Sequence, residues 1–552
     1  SGSFTAQEAT DIANILEVGS LPARPEIISQ DIVGPSLGAQ NIRNGFLSLV
    51  IGVCLVLAFM ILYYGTGGLI SILALLANLF FIVGALASFG TVLTMPGVAG
   101  IVLTIGMAVD ANVIIYERIR EELRDGKAML AAIRDGFANS YSAIIDANVT
   151  TILTALVLSY FGQGPIKGFA VVLIIGVLCS LFTAVLCARL MIDWWTDKGR
   201  DVSFFSKIFG DAFANLNIDF VSKGRMSMII SGVFILIGLG SFFTRGFELG
   251  VDLKGGSTYT LAFEDAVDPD AVRPIMEEAF NGEGVIVKSF GASNQVQVTT
   301  SYLINDRSED ADDRRMEALY GGVSKFLGEE AATGDDAIDA FTAKYVKSSV
   351  KVGPTIADDI RQSSIYATIV ALLFIFVYIL LRFNAWQYGA GAVAALFHDV
   401  LVVLSFFSLL HGLLPFSLEI NQAFIAALLT VVGYSINDTV VVFDRIREFF
   451  TTFANNSKEE NVNLAINNTV SRTVITSLTT IFVVLMLFIF GGESIRGFAF
   501  ALLIGIIVGT YSSIFIATPT VVFLSKDDDL KVTRTAGKGE KSKGYKRKVT
   551  NA

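Results

Sequence analysis

GMAVDANVIIYERIRE (106–121) and GYSINDTVVVFDRIRE (433–448) lie 327 residues apart and read almost as one sentence. Each sets an acidic residue inside an apolar run that ends in Arg-Ile-Arg-Glu. A carboxylate is costly in an apolar helix, so a chain that places one there twice is either using it or pinning helices with it.

Composition supplies the setting. Of 552 residues, 53% are hydrophobic and 17% charged, and the mean hydropathy is +0.62. That is more apolar than the cores of a soluble chain require, so the chain reads as a polytopic α-helical membrane protein. Runs long enough to cross a hydrocarbon layer as helices occur at 46–64, 68–89, 98–117, 140–161, 168–191, 226–244, 364–382, 389–410, 421–443, 472–490 and 498–524. Cys54, Cys179 and Cys187 fall inside these runs, too far apart for a disulfide framework or a metal cluster, and read as packing residues.

Basic residues tend to stay in cytoplasmic loops. The loops at 118–139, 192–225 and 444–471 are basic at their membrane ends, and the tail after 525 is rich in lysine. Eleven alternating spans put all four on one side. The segment at 245–363, with acidic pairs such as Asp312-Asp313 and Asp335-Asp336, then lies on the extracytoplasmic face as a solvated surface. The same alternation puts residue 1 outside with no signal peptide to carry it there, so a further span upstream is expected.

The internal repeat gives the same expectation. VGPSLGAQNIR (33–43) matches VGPTIADDIR (352–361), NVTTI (148–152) matches SLTTI (477–481), and KGFAVVLIIGV (167–177) matches RGFAFALLIGI (496–506). Two parallel halves of this kind imply a pseudo-two-fold axis along the membrane normal. The expected organisation is a remnant of a first extracytoplasmic domain with its linker (1–44), a first membrane repeat of five spans (45–191) and a cytoplasmic linker (192–225). The first span of the second half (226–244), a small extracytoplasmic α+β domain (245–363), the second membrane repeat (364–524) and a basic cytoplasmic tail (525–552) follow. Against a six-plus-six parent, the first span and most of the first outside domain are expected to be lacking.

Within 245–363, VDLKGGSTYTLAFE (251–264) alternates like a strand after a Gly-Gly turn, and NQVQVTTSYL (294–303) alternates again. DPDAVRPIMEEAF (268–280) and DAIDAFTAKYV (336–346) read as helices. Lys254-Gly255-Gly256 is not a phosphate loop, and the chain has no G-x-x-x-x-G-K-[ST]. ATP hydrolysis is not supported, and neither an enzyme activity nor a metal or cofactor is expected.

Aligning the repeats sets Asp110 against Asn437 and Ala111 against Asp438. If the axis brings these spans together, the two carboxylates meet near the centre, where burial and mutual repulsion favour taking up a proton. The alternative is a pair of neutral, hydrogen-bonded packing residues. Asp146, two turns into its span, is a second proton-path or cavity-lining candidate. His398 and Asp399 are a third, with interhelical packing as the alternative; neighbouring helix residues point about 100° apart, so at most one is expected to face the centre. Arg472 reads either as a snorkelling anchor or as a counter-charge for the carboxylates. Glu117 and Asp444, each followed by Arg, read as ion-paired helix ends.

MAVDANVIIYERIREELRDG with DANVTTI resembles the SecD protein-export subunits, and GYSINDTVVVFDRIRE with RTVITSLTTI and FHDV resembles the SecF subunits. Their succession resembles the fused SecDF form within the resistance-nodulation-division superfamily. The resemblance implies an accessory of the bacterial Sec translocon in the inner membrane, using the proton gradient as its energy source. Its implied partners are the translocon channel subunits, associated insertase or accessory proteins, unfolded secretory polypeptide and membrane lipids, with no specific nucleic acid. It carries the family's proton-path residues onto Asp110, Asp438 and Arg472. Two rivals are a proton-coupled exporter of small molecules or lipids and a structural scaffold of the translocon. The acidic outer segment argues against the first, and the paired intramembrane acids argue against the second.

Overall fold

A backbone crossing hydrocarbon can satisfy its own polar groups as a helix, and the apolar runs fold accordingly. The computed structural model describes residues 29–205 and 217–525, apart from 92, 307, 309, 330–333 and 384. The helices are α1 (Pro35–Tyr64), α2 (Thr66–Ser88), α3 (Met95–Arg124), α4 (Met129–Phe161), α5 (Pro165–Asp197), α6 (Phe220–Arg245), the single turn α7 (Val251–Lys254), α8 (Pro269–Ala279), α9 (Ala311–Leu327), α10 (Asp335–Tyr345), α11 (Pro354–Phe383), α12 (Trp386–Leu410), α13 (Gln422–Thr452), α14 (Lys458–Phe490) and α15 (Glu493–Leu524). The strands are β1 (Ser29–Val33), β2 (Gly256–Ala262), β3 (Ile286–Phe290), β4 (Ala292–Thr300) and β5 (Val346–Val352).

Eleven of these helices, α1–α6 and α11–α15, are long and apolar enough to cross a membrane. Several run well past the apolar stretch that marks them. α14 begins at Lys458, not near 472, because Ser457 caps it by accepting from the Glu460 N–H at 3.2 Å. Thr94 caps α3 the same way through Gly97, and Asn421 caps α13 through Phe424.

α3 and α13 form the centre. In their most apolar stretches 83% and 89% of residues are buried, against 17–61% in the other nine spans. α3 packs on α5 and α14, and α13 on α15 and α4, so each repeat mirrors the other and lends one helix across the divide. The mirroring extends to single contacts. A Cβ on Gly176 would lie 2.4 Å from Thr104, and one on Gly505 would lie 2.1 Å from Val431. Both are the same α3–α5 or α13–α15 approach, which is open only to glycine. The π-helical turns at Thr183–Cys187 and Ser513–Ala517 are repeated as well. All three cysteines are free, and Cys54 lies on an exposed face of α1 instead of in packing.

Residues 251–359 with 29–38 form a separate α+β unit. Its sheet has the order β1-β5-β2-β4-β3, with every pair antiparallel. Tyr259, Leu261, Val296 and Val298 from the sheet meet Val272, Met276, Leu319, Val323 and Phe341 from α8, α9 and α10 in its core. The Gly-Gly turn enters β2 with φ of +78° and +145°, and a Cβ on Gly256 would sit 2.8 Å from the Thr300 carbonyl. Sequence reading finds β2, β4, α8 and α10 but misses β1, β3, β5 and α9. In α9 the Asp312-Asp313 pair is exposed, as a solvated surface requires, and occupies the first turn of a helix whose Arg315 is buried.

Candidate functional site

Asp110 lies fourteen residues before the end of α3, Asp438 fourteen before the end of α13, and Arg472 fourteen after the start of α14. These helix ends share one end of the bundle, so at 1.5 Å per residue all three side chains leave the backbone at one depth, about 21 Å in. Asp110 is 3% and Asp438 8% exposed.

A hydroxyl-rich stretch of α14, Thr476 to Thr480, runs between the acids. The Thr479 hydroxyl donates to Asp110 Oδ1 at 3.4 Å, and the Ser477 hydroxyl to Asp438 Oδ2 at 3.3 Å while also pairing with Thr510 at 2.5 Å. Tyr434 donates to Thr480 at 3.1 Å. Asp110 Oδ2 is buried without a hydrogen-bond partner among the described residues. Asp110 is within electrostatic reach of Asp438, and Arg472 of both. Among the described residues the Arg472 guanidinium makes no direct ion pair or hydrogen bond, so its charge is shared between the acids and not locked to one. The structure thus brings Asp110, Asp438 and Arg472 together. Asn437, the repeat counterpart of Asp110, has its Oδ1 buried without a partner among the described residues.

Of His398 and Asp399, it is the acid that bonds the central helix α13, at Ser435, while the imidazole packs on Tyr511 of α15. The imidazole folds back so that Nδ1 meets Asp399 Oδ1 at 2.9 Å, and both residues are buried. Ser435 and Ser512 donate to Asp399 Oδ2 at 2.6 and 2.8 Å. The 100° offset separates Cβ directions, but Nδ1 and Oδ1 each lie two bonds beyond Cβ, and side-chain torsions bring them together.

Asp146 is not with the central acids. Its Oδ1 accepts from Tyr378 at 2.8 Å and its Oδ2 from Arg382 Nε at 2.7 Å; Arg382 Nη2 also reaches Ser142 at 2.6 Å and Asp444 at 3.4 Å. Sequence reasoning misses Arg382 and Tyr378, because an arginine at the end of a span looks like an interfacial anchor. Glu117 and Asp444 are ion-paired near helix ends, Glu117 with Arg120 at 2.6 Å. The repeated Arg-Ile-Arg-Glu pairs across the repeats: Arg118 with Glu448 at 3.2 Å, and Arg445 with Glu121. Among the described residues no three His, Cys, Asp or Glu side chains gather into a metal-holding group.

The model of the family described as "Protein export membrane protein SecD/SecF, C-terminal" matches residues 17–198 and 335–527, one segment on each repeat. The "SecD/SecF GG Motif" model matches 240–267, which contains the Gly255-Gly256 turn. The protein translocase subunit SecDF of Brucella abortus biovar 1 (strain 9-941) is 33% identical over 94% of this chain and 65% of its own length. That of Thermus thermophilus is 37% identical over 94% of this chain and 67% of its own. A crystal structure described as SecDF, a translocon-associated membrane protein, from Thermus superposes with a TM-score of 0.80 at 36% identity, covering 95% of this chain and 68% of that one. The chain therefore spans about two thirds of the length of these relatives. With both repeats matched in order on one polypeptide, the chain belongs to the SecD/SecF family of protein-export membrane proteins, in its fused SecDF arrangement.

Proposed function

We propose that this chain is the membrane part of a proton-driven accessory of the Sec translocon, assisting secreted polypeptides across the bacterial inner membrane. The observation that carries this reading is the set of buried Asp110 and Asp438 with half-buried Arg472, at one depth between two repeats and bridged by one helix. Two ionised carboxylates so placed repel each other, and taking up a proton removes that repulsion. The preferred packing of α3 against α14 and of α13 against α4 then changes. Each charge moved through the field supplies about 2.3 kcal/mol per 100 mV, so a few protons per cycle suffice to bias a two-state bundle. In this reading the α+β unit faces the extracytoplasmic side and the ends carrying Arg118 and Arg445 face the cytoplasm, as the distribution of basic loops favours. Its partners are the translocon channel and the unfolded polypeptide within it, as the names of its relatives suggest.

The test is export of a secretory polypeptide into vesicles carrying the whole fused protein, with ATP exhausted midway and the proton gradient kept or collapsed. Gradient-dependent completion that disappears with Asp110→Asn, Asp438→Asn or Arg472→Ala is expected. Completion that persists in all three variants overturns the reading and favours the scaffold.

A further inference from the structure

The central acids connect to one end of the bundle through a run of charges that the central triad does not include. Asp444 stands six residues beyond Asp438 on α13, about 9 Å nearer that end. Its side chain is 36% exposed. Arg472 is within electrostatic reach of both Asp438 and Asp444. On its other side Asp444 meets Arg382, which divides itself between two acids, at 3.4 Å from Asp444 and 2.7 Å from Asp146. The remaining charged or titratable groups facing Asp444 are Arg447 and Glu448 on its own helix and Tyr388 on α12.

Among the described residues the first repeat shows no such arrangement. Glu117, the counterpart of Asp444, is closed in by Arg120 at 2.6 Å, Tyr64 at 3.0 Å and Ser471 at 3.2 Å, and it is 11% exposed. Asp444 is the more open of the two acids, and it is the one joined to the centre by an arginine that makes no fixed pair.

We propose that Asp444 relays protons between Asp438 and the aqueous phase at this end of the bundle, with Arg382 and Asp146 positioning it. The inference rests on the reading of Asp110 and Asp438 as proton carriers. A proton leaves the Asp444 carboxyl and arrives on the Asp438 carboxylate through intervening water, one O–H bond breaking and one forming at each exchange. Asp146, held by Tyr378, retains Arg382 when Asp444 is protonated. When Asp444 is ionised, Arg382 and Arg472 balance its charge. The guanidiniums keep their protons and relay none, because an arginine does not deprotonate in this range; they set the acid's position and charge balance.

The experiment is proton flux in proteoliposomes of uniform orientation, measured against pH at this face with the opposite face held constant. Asp444→Asn is expected to slow flux by at least about tenfold and to flatten its dependence on pH at this face. Azide, a small weak acid able to shuttle protons through the site, is expected to restore flux in Asp444→Asn but not in Asp438→Asn. Asp444→Glu, which keeps the acid, is expected to retain flux and to show that the site tolerates substitution. Wild-type flux and pH profile in Asp444→Asn overturn the relay, as does a slow Asp444→Asn that azide leaves slow. Undiminished flux in Asp438→Asn instead overturns the underlying reading of the centre, so the two failures are told apart.

Discussion

Arg118 on α3 and Glu448 on α13 are joined at 3.2 Å across the two repeats, and the bond has a twin: Arg445 on α13 meets Glu121 on α3. Each arginine also holds the glutamate three residues on in its own helix, Arg118 to Glu121 at 2.8 Å and Arg445 to Glu448 at 2.6 Å. The four side chains close a ring in which every member has a partner on each helix. Reciprocal pairing of one motif with its own copy is what a two-fold axis between the helices produces.

The ring is symmetric in connectivity but not in burial. Arg445 is 8% exposed and Arg118 21%. Arg118→Gln is expected to cost about 0.5–1 kcal/mol, near the range of exposed pairs, and Arg445→Gln about 1–3 kcal/mol, since the more buried arginine is lost while Glu121 keeps Arg118 and is 30% exposed. A double-mutant cycle between Arg445→Gln and Glu121→Gln, read from thermal unfolding in detergent, is expected to give a coupling of about 1–3 kcal/mol. Additive effects would show that the ring is not an energetic unit.

The close approaches at Gly176 and Gly505 are expected to respond alike. A Cβ at either meets a branched side chain on the neighbouring helix well inside contact distance, so Gly176→Ala and Gly505→Ala should each lose about 1–3 kcal/mol. Thermal midpoints of the two variants check this. A loss at one site and none at the other would break the equivalence of the two halves.

In the α+β unit, Arg315 is 2% exposed and holds Asp312 at 2.7 Å and Ser257 at 3.2 Å, while Lys351 holds the other Asp312 oxygen at 2.8 Å. Arg315→Met is expected to destabilise the unit by about 1–3 kcal/mol, since Asp312 keeps Lys351 and stays half in water. Lys351→Met is expected to cost less than about 1 kcal/mol. Hydrogen exchange of β2 and β5 in the whole chain orders the two, and a reversed order would contradict this account.

Burial raises the Tyr259 phenol above its ordinary range, against smaller opposing effects of Arg315 and Ser257. A phenol whose folded value lies above its unfolded one leaves stability unchanged below about pH 10 and subtracts from it as pH rises further, because the unfolded chain then binds fewer protons. The calorimetric transition of the unit is expected to fall more steeply above pH 10 in the wild type than in Tyr259→Phe. Equal slopes would remove Tyr259 as the cause.

Much of this fold was legible because hydropathy and repetition are both one-dimensional signals. The eleven spans follow from apolar length, and the pairing of α3 with α13 follows from a motif written twice. The capped polar turn Ser457–Glu460 extends α14 invisibly to hydropathy, and α4 likewise begins more than ten residues early, at Met129, through a polar first stretch that has no side-chain cap. The convergence of Asp110, Asp438 and Arg472 was legible in its acids, since a carboxylate in an apolar run announces itself. Arg472 and Arg382 were not distinguishable from anchors, because a basic residue near a span end has the same sequence context whether it faces lipid headgroups or a buried acid. The contact between the His398 and Asp399 side chains depends on torsions that helical periodicity does not encode.

The measurement that bears most directly on the central claim is proton uptake into proteoliposomes of this chain under an imposed pH gradient and membrane potential, comparing wild type with Asp110→Asn and Asp438→Asn. The account predicts gradient-driven uptake in the wild type and its loss, at least about tenfold, in each variant while both remain folded. Uptake equal in all three would contradict it and would leave the buried acids as packing residues.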